Sequence, residues 1–418
     1  MGSNWPRVKV SDICELIVDC VNKTAPVSPV PTLYKMIRTP NIKNGRVSTD
    51  DCRCVDADTF AKWTRRATVE RNDVLLTREA PLGEVGIVNS SEQLFLGQRI
   101  MQYRADETKL DPHFLLYSFL SPDLQHQFSM HEGSGSVVSH IRVGDCSKFE
   151  LNLPSLDTQK RISEILRNVD KKITLNNQIN QTLEKMAQTL FKSWFVDFDP
   201  VKAKMNGEQP KGMDTATASL FPEKLVESEL GLIPEGWDAV QVGDIVQRLK
   251  PKKRYTKKQV EPYGKTPVYE QGASILLGFH NDDAGFDASP EDPVFIFGDH
   301  TCITHLSCSK FDISSNVIPL KGSVRPTIWT YYAIQGKQEF QEYRRHWSEF
   351  IIKDVVLPPV ELAEKYAELV TTKYLMMESL KRQSKELEQL RDTLLPKLLS
   401  GEIDLESVQV EQVKELAE

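Results

Sequence analysis

From Ser155 to Phe198 the chain contains neither Gly nor Pro, and its apolar residues recur at heptad spacing. Ile162, Val169, Leu183 and Leu190 fall in one phase, with Asn176 in the same row. Ile165, Ile179 and Met186 form a second row, and Leu166, Ile173, Ala187 and Trp194 widen the stripe. This pattern predicts one long helix with a coiled-coil seam. About 40 residues rising ~1.5 Å each make a rod of roughly 60 Å, which cannot bury its own stripe and needs a partner helix.

The same chain supplies that partner. Leu153-Pro154 returns as Leu357-Pro358, and the rows return as Tyr366, Lys373, Leu380, Leu387, Leu394 and as Leu369, Met376, Gln383, Leu390. The predicted seam therefore rests on Ile162, Val169, Leu183 and Leu190 against Leu369, Leu380, Leu387 and Leu394. The strand-like entry repeats as well, Phe149–Pro154 matching Lys353–Pro358, and Trp5–Ile13 resembles Trp237–Ile245. Such a repeat implies two tandem units, each a globular part followed by a long helix. A single large domain with two ordinary amphipathic helices does not explain the same landmarks recurring in the same order.

The expected class is α+β: two mixed α/β domains and two long helices pairing as an antiparallel coiled coil about a pseudo-twofold. The boundaries expected are a first globular domain over 1–155, a central helix over 156–198, a linker over 199–236, a second globular domain over 237–358, a distal helix over 359–400 and an acidic tail over 401–418. Short apolar runs at Val8–Val10, Asp73–Thr77, Val85–Val88 and Ile100–Tyr103 suit a β-rich first domain, with a helix at Pro112–Leu120 and a loop at Glu132–Ser136. Strands near Val294–Phe297 and Val317–Leu320 and a helix at Thr327–Gln335 repeat that plan, while Pro and Gly crowd the linker.

At 418 residues, the chain has room for two or three domains, and 40% hydrophobic content suffices for packed cores. No run is long and apolar enough for a membrane span, and Met1 to Val10 holds no secretory core, which points to the cytoplasm. The seven cysteines form no CxxC pair and read as reduced structural thiols, with zinc on Cys52 and Cys54 a minor alternative.

Catalytic motifs are not found. Gly264-Lys265-Thr266 resembles the end of a phosphate loop but lacks its glycine-rich cradle. Asp292-Pro293-Val294-Phe295 lacks the second proline of an amino-methyltransferase motif, and His280, His300 and His305 lack metal-ligand spacing. Gly135-Ser136 forms no nucleophile elbow. No metal site and no catalytic residue is expected.

The net charge of −7 is uneven. Carboxylates crowd the helices and tail, and the local clusters set the field a ligand meets. Lys250, Lys252, Lys253, Arg254, Lys257 and Lys258 form a run around Tyr255 that suits phosphate contact, although a solvated loop with no ligand reads the same way. Arg65, Arg66, Arg78, Arg99, Arg344 and Arg345 are further candidates, with Gln98, for contacts with DNA; arginine and glutamine side chains can read base edges bidentately.

Finally, Leu153–Leu166, Asp170-Lys171-Lys172-Ile173 and Gln181–Pro200 resemble the central region of type I restriction–modification specificity subunits. Leu220-Phe221-Pro222-Glu223 ahead of Gly231–Trp237, Leu76–Val88 with Gly97-Gln98-Arg99-Ile100, and Leu387–Ile403 resemble other parts of the same family. The resemblance covers essentially the whole chain. It implies two target-recognition domains, each reading half of a bipartite site in double-stranded DNA. It also implies helices that set the spacer and dock two methyltransferase subunits, with restriction subunits joining through these. No cofactor is then expected in this chain: S-adenosylmethionine would belong to the methyltransferase, and ATP and Mg to the restriction subunit. A related system whose partner fuses methyltransferase and nuclease, and a coiled-coil scaffold without DNA, are the alternatives.

Overall fold

The computed structural model describes residues 5–131, 140–403 and 405. The loop expected at Glu132–Ser136 and most of the expected acidic tail lie outside the described residues. The chain divides into two compact units, one of Met1–Thr174 with Ser384–Glu418 and one of Leu175–Gln383. Both long helices, Leu156–Phe195 and Val360–Ser400, run through the two units.

In the first unit, a six-stranded sheet runs in the order Cys14–Asp19, Ile100–Ala105, Val74–Arg78, Leu82–Ile87, Gly45–Val47, Ile42–Lys43. A three-stranded sheet joins Arg53–Val55, Tyr34–Ile37 and Gln93–Leu96. The expected helix forms at Pro112–Leu120, and a second follows at Pro122–Ser129. Proline at the first position suits each helix start, and the side chains of Asp111 and Ser121 accept from Phe114 N and Leu124 N. Phe114, Phe119 and Phe128 fill the core with Val74, Leu76, Met101 and Tyr103.

The second unit repeats the entry and exit. Val242 N donates to Lys353 O at 2.8 Å, as Val10 N donates to Phe149 O at 2.9 Å in the first. Between them stand a four-stranded antiparallel sheet, ordered Val246–Arg248, Val317–Gly322, Val294–Gly298, Thr304–Ser307, and a mixed sheet ordered Arg254–Tyr255, Asp312–Ser314, Thr266–Tyr269, Leu276–His280. Helix Thr327–Ile334 packs Ile328 and Trp329 under the first of these.

Within each unit, rising numbers on one long helix meet falling numbers on the other, so the helices pair antiparallel. In the first unit Asp170 meets Arg391 at 3.1 Å, and Val169 and Ile173 cluster with Leu387. Ile162, Ile165 and Leu166 share a core with Leu395, Leu398 and Leu399. In the second unit Asn176 Nδ2 donates to Gln383 Oε1 at 2.8 Å, and Tyr366 Oη donates to Ala187 O at 3.1 Å. Gly401, with φ +68°, ends the second helix, where Glu402 N returns to Lys397 O.

The seam departs from the expected phase on both helices: Met186, expected in the second row of the first helix, is 51% exposed, and the second helix departs at Leu369 and Met376. Ile162, Val169 and Leu387 are buried, and Leu183, Leu190, Leu380 and Leu394 are partly covered. Leu369 and Met376, however, are 36% and 48% exposed; Val370, Tyr374 and Met377 are buried instead. The helix turns this face inward because it also packs against the globular part of its unit, through Tyr332 and its neighbours. The segment 199–236 is not extended throughout. It forms helices Asp199–Met205 and Thr215–Ser219 and the hairpin Leu225–Ser228/Gly231–Pro234. Buried Phe198, Val201 and Phe221 fix it, Phe221 meeting Trp194 edge-on at 5.3 Å.

Among the described residues, no helix is long and apolar enough to cross a membrane, and no group of three or more His, Cys, Asp or Glu is placed to hold a metal. The thiols of Cys52 and Cys54 donate to Ser48 O and Thr32 O, and burial pushes Cys52 up to about 11.

Candidate nucleic-acid interface

The basic run of the second unit follows strand Val246–Arg248 and is pinned at its centre. Tyr255 is buried with its ring stacked on His280 at 4.2 Å. Asp282 N donates to His280 Nδ1 at 3.1 Å, so the ring proton sits on Nε2 and faces Asp312 Oδ2, also at 3.1 Å. Gly285 N donates to the same carboxylate oxygen at 2.9 Å, and a Cβ at Gly285 would collide with Asp312 Oδ1. A buried Tyr–His–Asp stack thus fixes the centre of a loop whose lysines are exposed.

Those side chains divide by what they touch. Arg254 Nη1 donates to Ser314 O at 2.7 Å and Val317 O at 2.8 Å, and burial, then the charge of Arg248, lowers its pKa. It braces the fold. Lys253 lies 4.2 Å from the Tyr255 ring centre and 3.6 Å from Asp282. Lys250, Lys252, Lys257 and Lys258 are exposed and, among the described residues, pair with no carboxylate. They are free to meet phosphates.

The arginines divide likewise. Arg344 pairs with Glu349 and with Glu342 at 2.8 Å, and the Glu349 hydrogen bond raises its pKa. Arg345 is 78% exposed, with Asp299 at 3.8 Å. In the first unit, Arg78 Nη1 donates to Ile141 O at 3.0 Å, and Arg99, in the left-handed region at φ +72°, pairs with Glu79. Arg66 pairs with Asp19, and Arg65 Nε reaches Lys62 O at 3.2 Å. Gln98 accepts from Thr24 Oγ1 at 3.5 Å. Arg78, Arg254 and Arg344 are therefore held by the protein itself, whereas Lys250, Lys252, Lys257, Lys258 and Arg345 are exposed cations of the second unit.

Residue type alone passed over two exposed aromatics, Tyr263 at 86% and Tyr343 at 74%. The signal was present: Tyr343 directly precedes Arg344-Arg345.

Residues 2–185 match the family described as the type I restriction modification DNA specificity domain. The chain is 25% identical over 469 residues to the type I restriction enzyme HindI specificity subunit of Haemophilus influenzae, covering 96% of this chain and 100% of that relative. It is 23% identical to the MjaIX specificity subunit of Methanocaldococcus jannaschii, over 81% of this chain and 79% of that one. The crystal structure of a type I restriction–modification S subunit from M. genitalium shares the fold at TM-score 0.50 and 14% identity, covering 94% of this chain and 96% of that one. Residues 2–185 therefore carry a type I restriction modification DNA specificity domain, and over most of its length the chain is similar to type I restriction enzyme specificity subunits.

Proposed function

We propose that this chain is the DNA-reading subunit of a type I restriction–modification complex, with each unit reading one half of a split, asymmetric site in double-stranded DNA. The observation that carries this is the duplicated frame. The same entry, exit and long-helix pairing occur in both units, while the residues at the loop tips differ. A repeated scaffold with unlike tips suits two half-sites of unlike sequence. The exposed lysines at 250, 252, 257 and 258 supply phosphate contact, which positions a reader without specifying sequence.

The helix pair acts as the spacer between half-sites and as the docking surface for two methyltransferase subunits. Leu369, Leu375 and Met376 are apolar, exposed and outside the seam, so they are available to such a partner. Restriction subunits join through the methyltransferases, and the complex works in the cytoplasm. The chain itself carries no catalytic residue and no cofactor; S-adenosylmethionine is bound by the methyltransferase, and ATP with Mg by the restriction subunit.

The test is co-purification with a methyltransferase encoded beside this chain, followed by mapping of methylated adenines in the host genome. Two short defined sequences around an undefined spacer are expected. A complex that forms without producing a split motif would favour the scaffold alternative. Absence of any complex would overturn the assignment.

A further inference from the structure

The two units share more than their entry and exit. In the first, Arg78 N donates to Arg99 O at 2.8 Å and Ile141 N donates to Arg78 O at 3.0 Å. In the second, Asp299 N donates to Asn316 O at 2.9 Å and His346 N donates to Asp299 O at 2.8 Å. Arg78 and Asp299 thus hold equivalent places, as do Arg99 with Asn316 and Ile141 with His346. The backbone agrees: Ala80 and Cys302, in the hairpin turns Val74–Arg78/Leu82–Ile87 and Val294–Gly298/Thr304–Ser307, have φ +50° and +59°, and Arg99 and Asn316, just ahead of strands Ile100–Ala105 and Val317–Gly322, have +72° and +61°. Left-handed non-glycine residues are uncommon, so their recurrence at matched turns marks a retained frame. The side chains on it are not retained: an arginine in one unit is an aspartate in the other.

On this frame the second unit builds a platform. His300 N donates to Gln271 Oε1 at 3.0 Å, joining two turns. Trp347 N donates to Asp299 Oδ1 at 3.0 Å, and Asp299 is only 8% exposed, so the segment carrying residues 343–346 is pinned to a buried carboxylate. The Tyr343 ring meets His300 edge-on at 4.8 Å. Tyr343 and Arg345 nevertheless stand 74% and 78% exposed. An exposed aromatic and an exposed guanidinium on a rigidly held loop are suited to contact with something outside the chain.

We infer that Gln271, His300, Tyr343 and Arg345 form the base-reading surface of the second unit, and that they read an acceptor-rich edge in the DNA major groove. This rests on the DNA-reading function proposed above. The Gln271 carbonyl is engaged by His300 N, which leaves its NH2 group to donate, and Arg345 has only donors to offer. Two sets of donors match the N7 and O6 of guanine, whereas a cytosine would present its own amino donor. Tyr343 adds an apolar ring face beside them, suited to a neighbouring thymine methyl. The exposed lysines act differently, because a point charge meets phosphate without regard to sequence.

The experiment uses the full chain assembled with its methyltransferase, comparing the unaltered complex with Tyr343→Ala, Arg345→Ala and the conservative variants Tyr343→Phe and Arg345→Lys. The readouts are the methylated motif in genomic DNA and binding to duplexes carrying that motif with single-base changes. Loss of preference for guanine at one position of one half-site, by about ten- to hundred-fold in Arg345→Ala, with the other half-site unchanged, is the expected result. Arg345→Lys keeps charge and assembly but loses the two-pronged contact, so it shows the same relaxed position. An unchanged motif in both arginine variants, or equal loss of both half-sites in variants that still assemble, overturns the inference. If the unaltered complex yields no split motif, the proposed function itself has failed, and that outcome is visible before any variant is read.

Discussion

The phenol of Tyr374, on the second long helix, donates to Glu184 Oε2, on the first, at 2.8 Å. Tyr332, from helix Thr327–Ile334, donates to Glu184 Oε1 at 3.0 Å. One carboxylate therefore ties the helix pair to the globular part of the second unit. With Asn176 and Gln383 bonded further along, the seam carries polar contacts that only one alignment satisfies.

Tyr374→Phe leaves the ring packing intact and removes one donor from Glu184. It is expected to cost about 1–3 kcal/mol, because a charged acceptor loses a buried partner. Glu184→Ala leaves the Tyr332 and Tyr374 hydroxyls, 2.8 Å apart, with only each other as partners and costs at least as much. Urea unfolding followed by circular dichroism checks both; an unchanged midpoint in Tyr374→Phe would remove the carboxylate from any part in holding the helices.

His305 predicts an acid weakness of the second unit. Burial, then the charge of Lys381, lowers its pKa to about 4, with Glu378 opposing. The folded state keeps the ring neutral, while the unfolded chain takes up a proton near pH 6.5. The unfolded state thus binds more protons as pH falls, and stability is lost between about 6.5 and 4, on the order of 3 kcal/mol by pH 4. His305→Gln is expected to flatten that part of the stability–pH curve. A parallel curve, merely displaced, would show that the loss arises at other groups.

The basic loop separates two kinds of cation. Alanine at Lys252, Lys257 and Lys258 is expected to weaken DNA binding on all sequences alike and to reduce the salt slope by about one for each phosphate left without its lysine. Arg254→Ala is expected instead to lower stability by about 1–3 kcal/mol, since the carbonyls of Ser314 and Val317 lose their donor. Titrations at several salt concentrations, beside thermal melts, distinguish the two. Equal salt slopes for the lysine variant and the unaltered protein would place the DNA elsewhere.

Adding seven residues to each long helix, between Thr174 and Leu175 and between Gln383 and Ser384, preserves the heptad phase and lengthens the pair by about 10 Å. The undefined spacer of the methylated motif is expected to grow by about three base pairs, at roughly 3.4 Å each. The same spacer in the lengthened protein would end the ruler interpretation.

The long helices were legible because a heptad stripe uninterrupted by Gly or Pro has few other solutions, and the repeat was legible because Trp5 and Trp237 and the two Leu-Pro exits keep their order. Leu369 departs from the expected inward face of the second helix because a helix packed on both a partner and a domain buries more than a two-row seam, and periodicity does not say which extra residues are covered. The site was less legible. Arg78, Arg254, Arg344 and Arg345 are the same residue type in sequence, and only the placement of distant carbonyls and carboxylates separates a brace from an exposed guanidinium. Tyr343 lay beside two arginines already singled out, yet its exposure is a product of the turn that holds it.

The first unit is closed by residues from 384 onward: Leu395, Leu398 and Leu399 sit in its core, and Arg161 donates to Leu405 O at 2.9 Å. On the ribosome this imposes an order. Residues 1–174 emerge first, with Ile162, Ile165 and Leu166 lacking the leucines that cover them in the finished fold, and the stretch 175–383 can fold before those leucines arrive. The earlier-made half is thus the later-completed one. A message cut short before codon 384 would yield an intact second unit attached to a first unit with an open core, a ready substrate for chaperones and proteases.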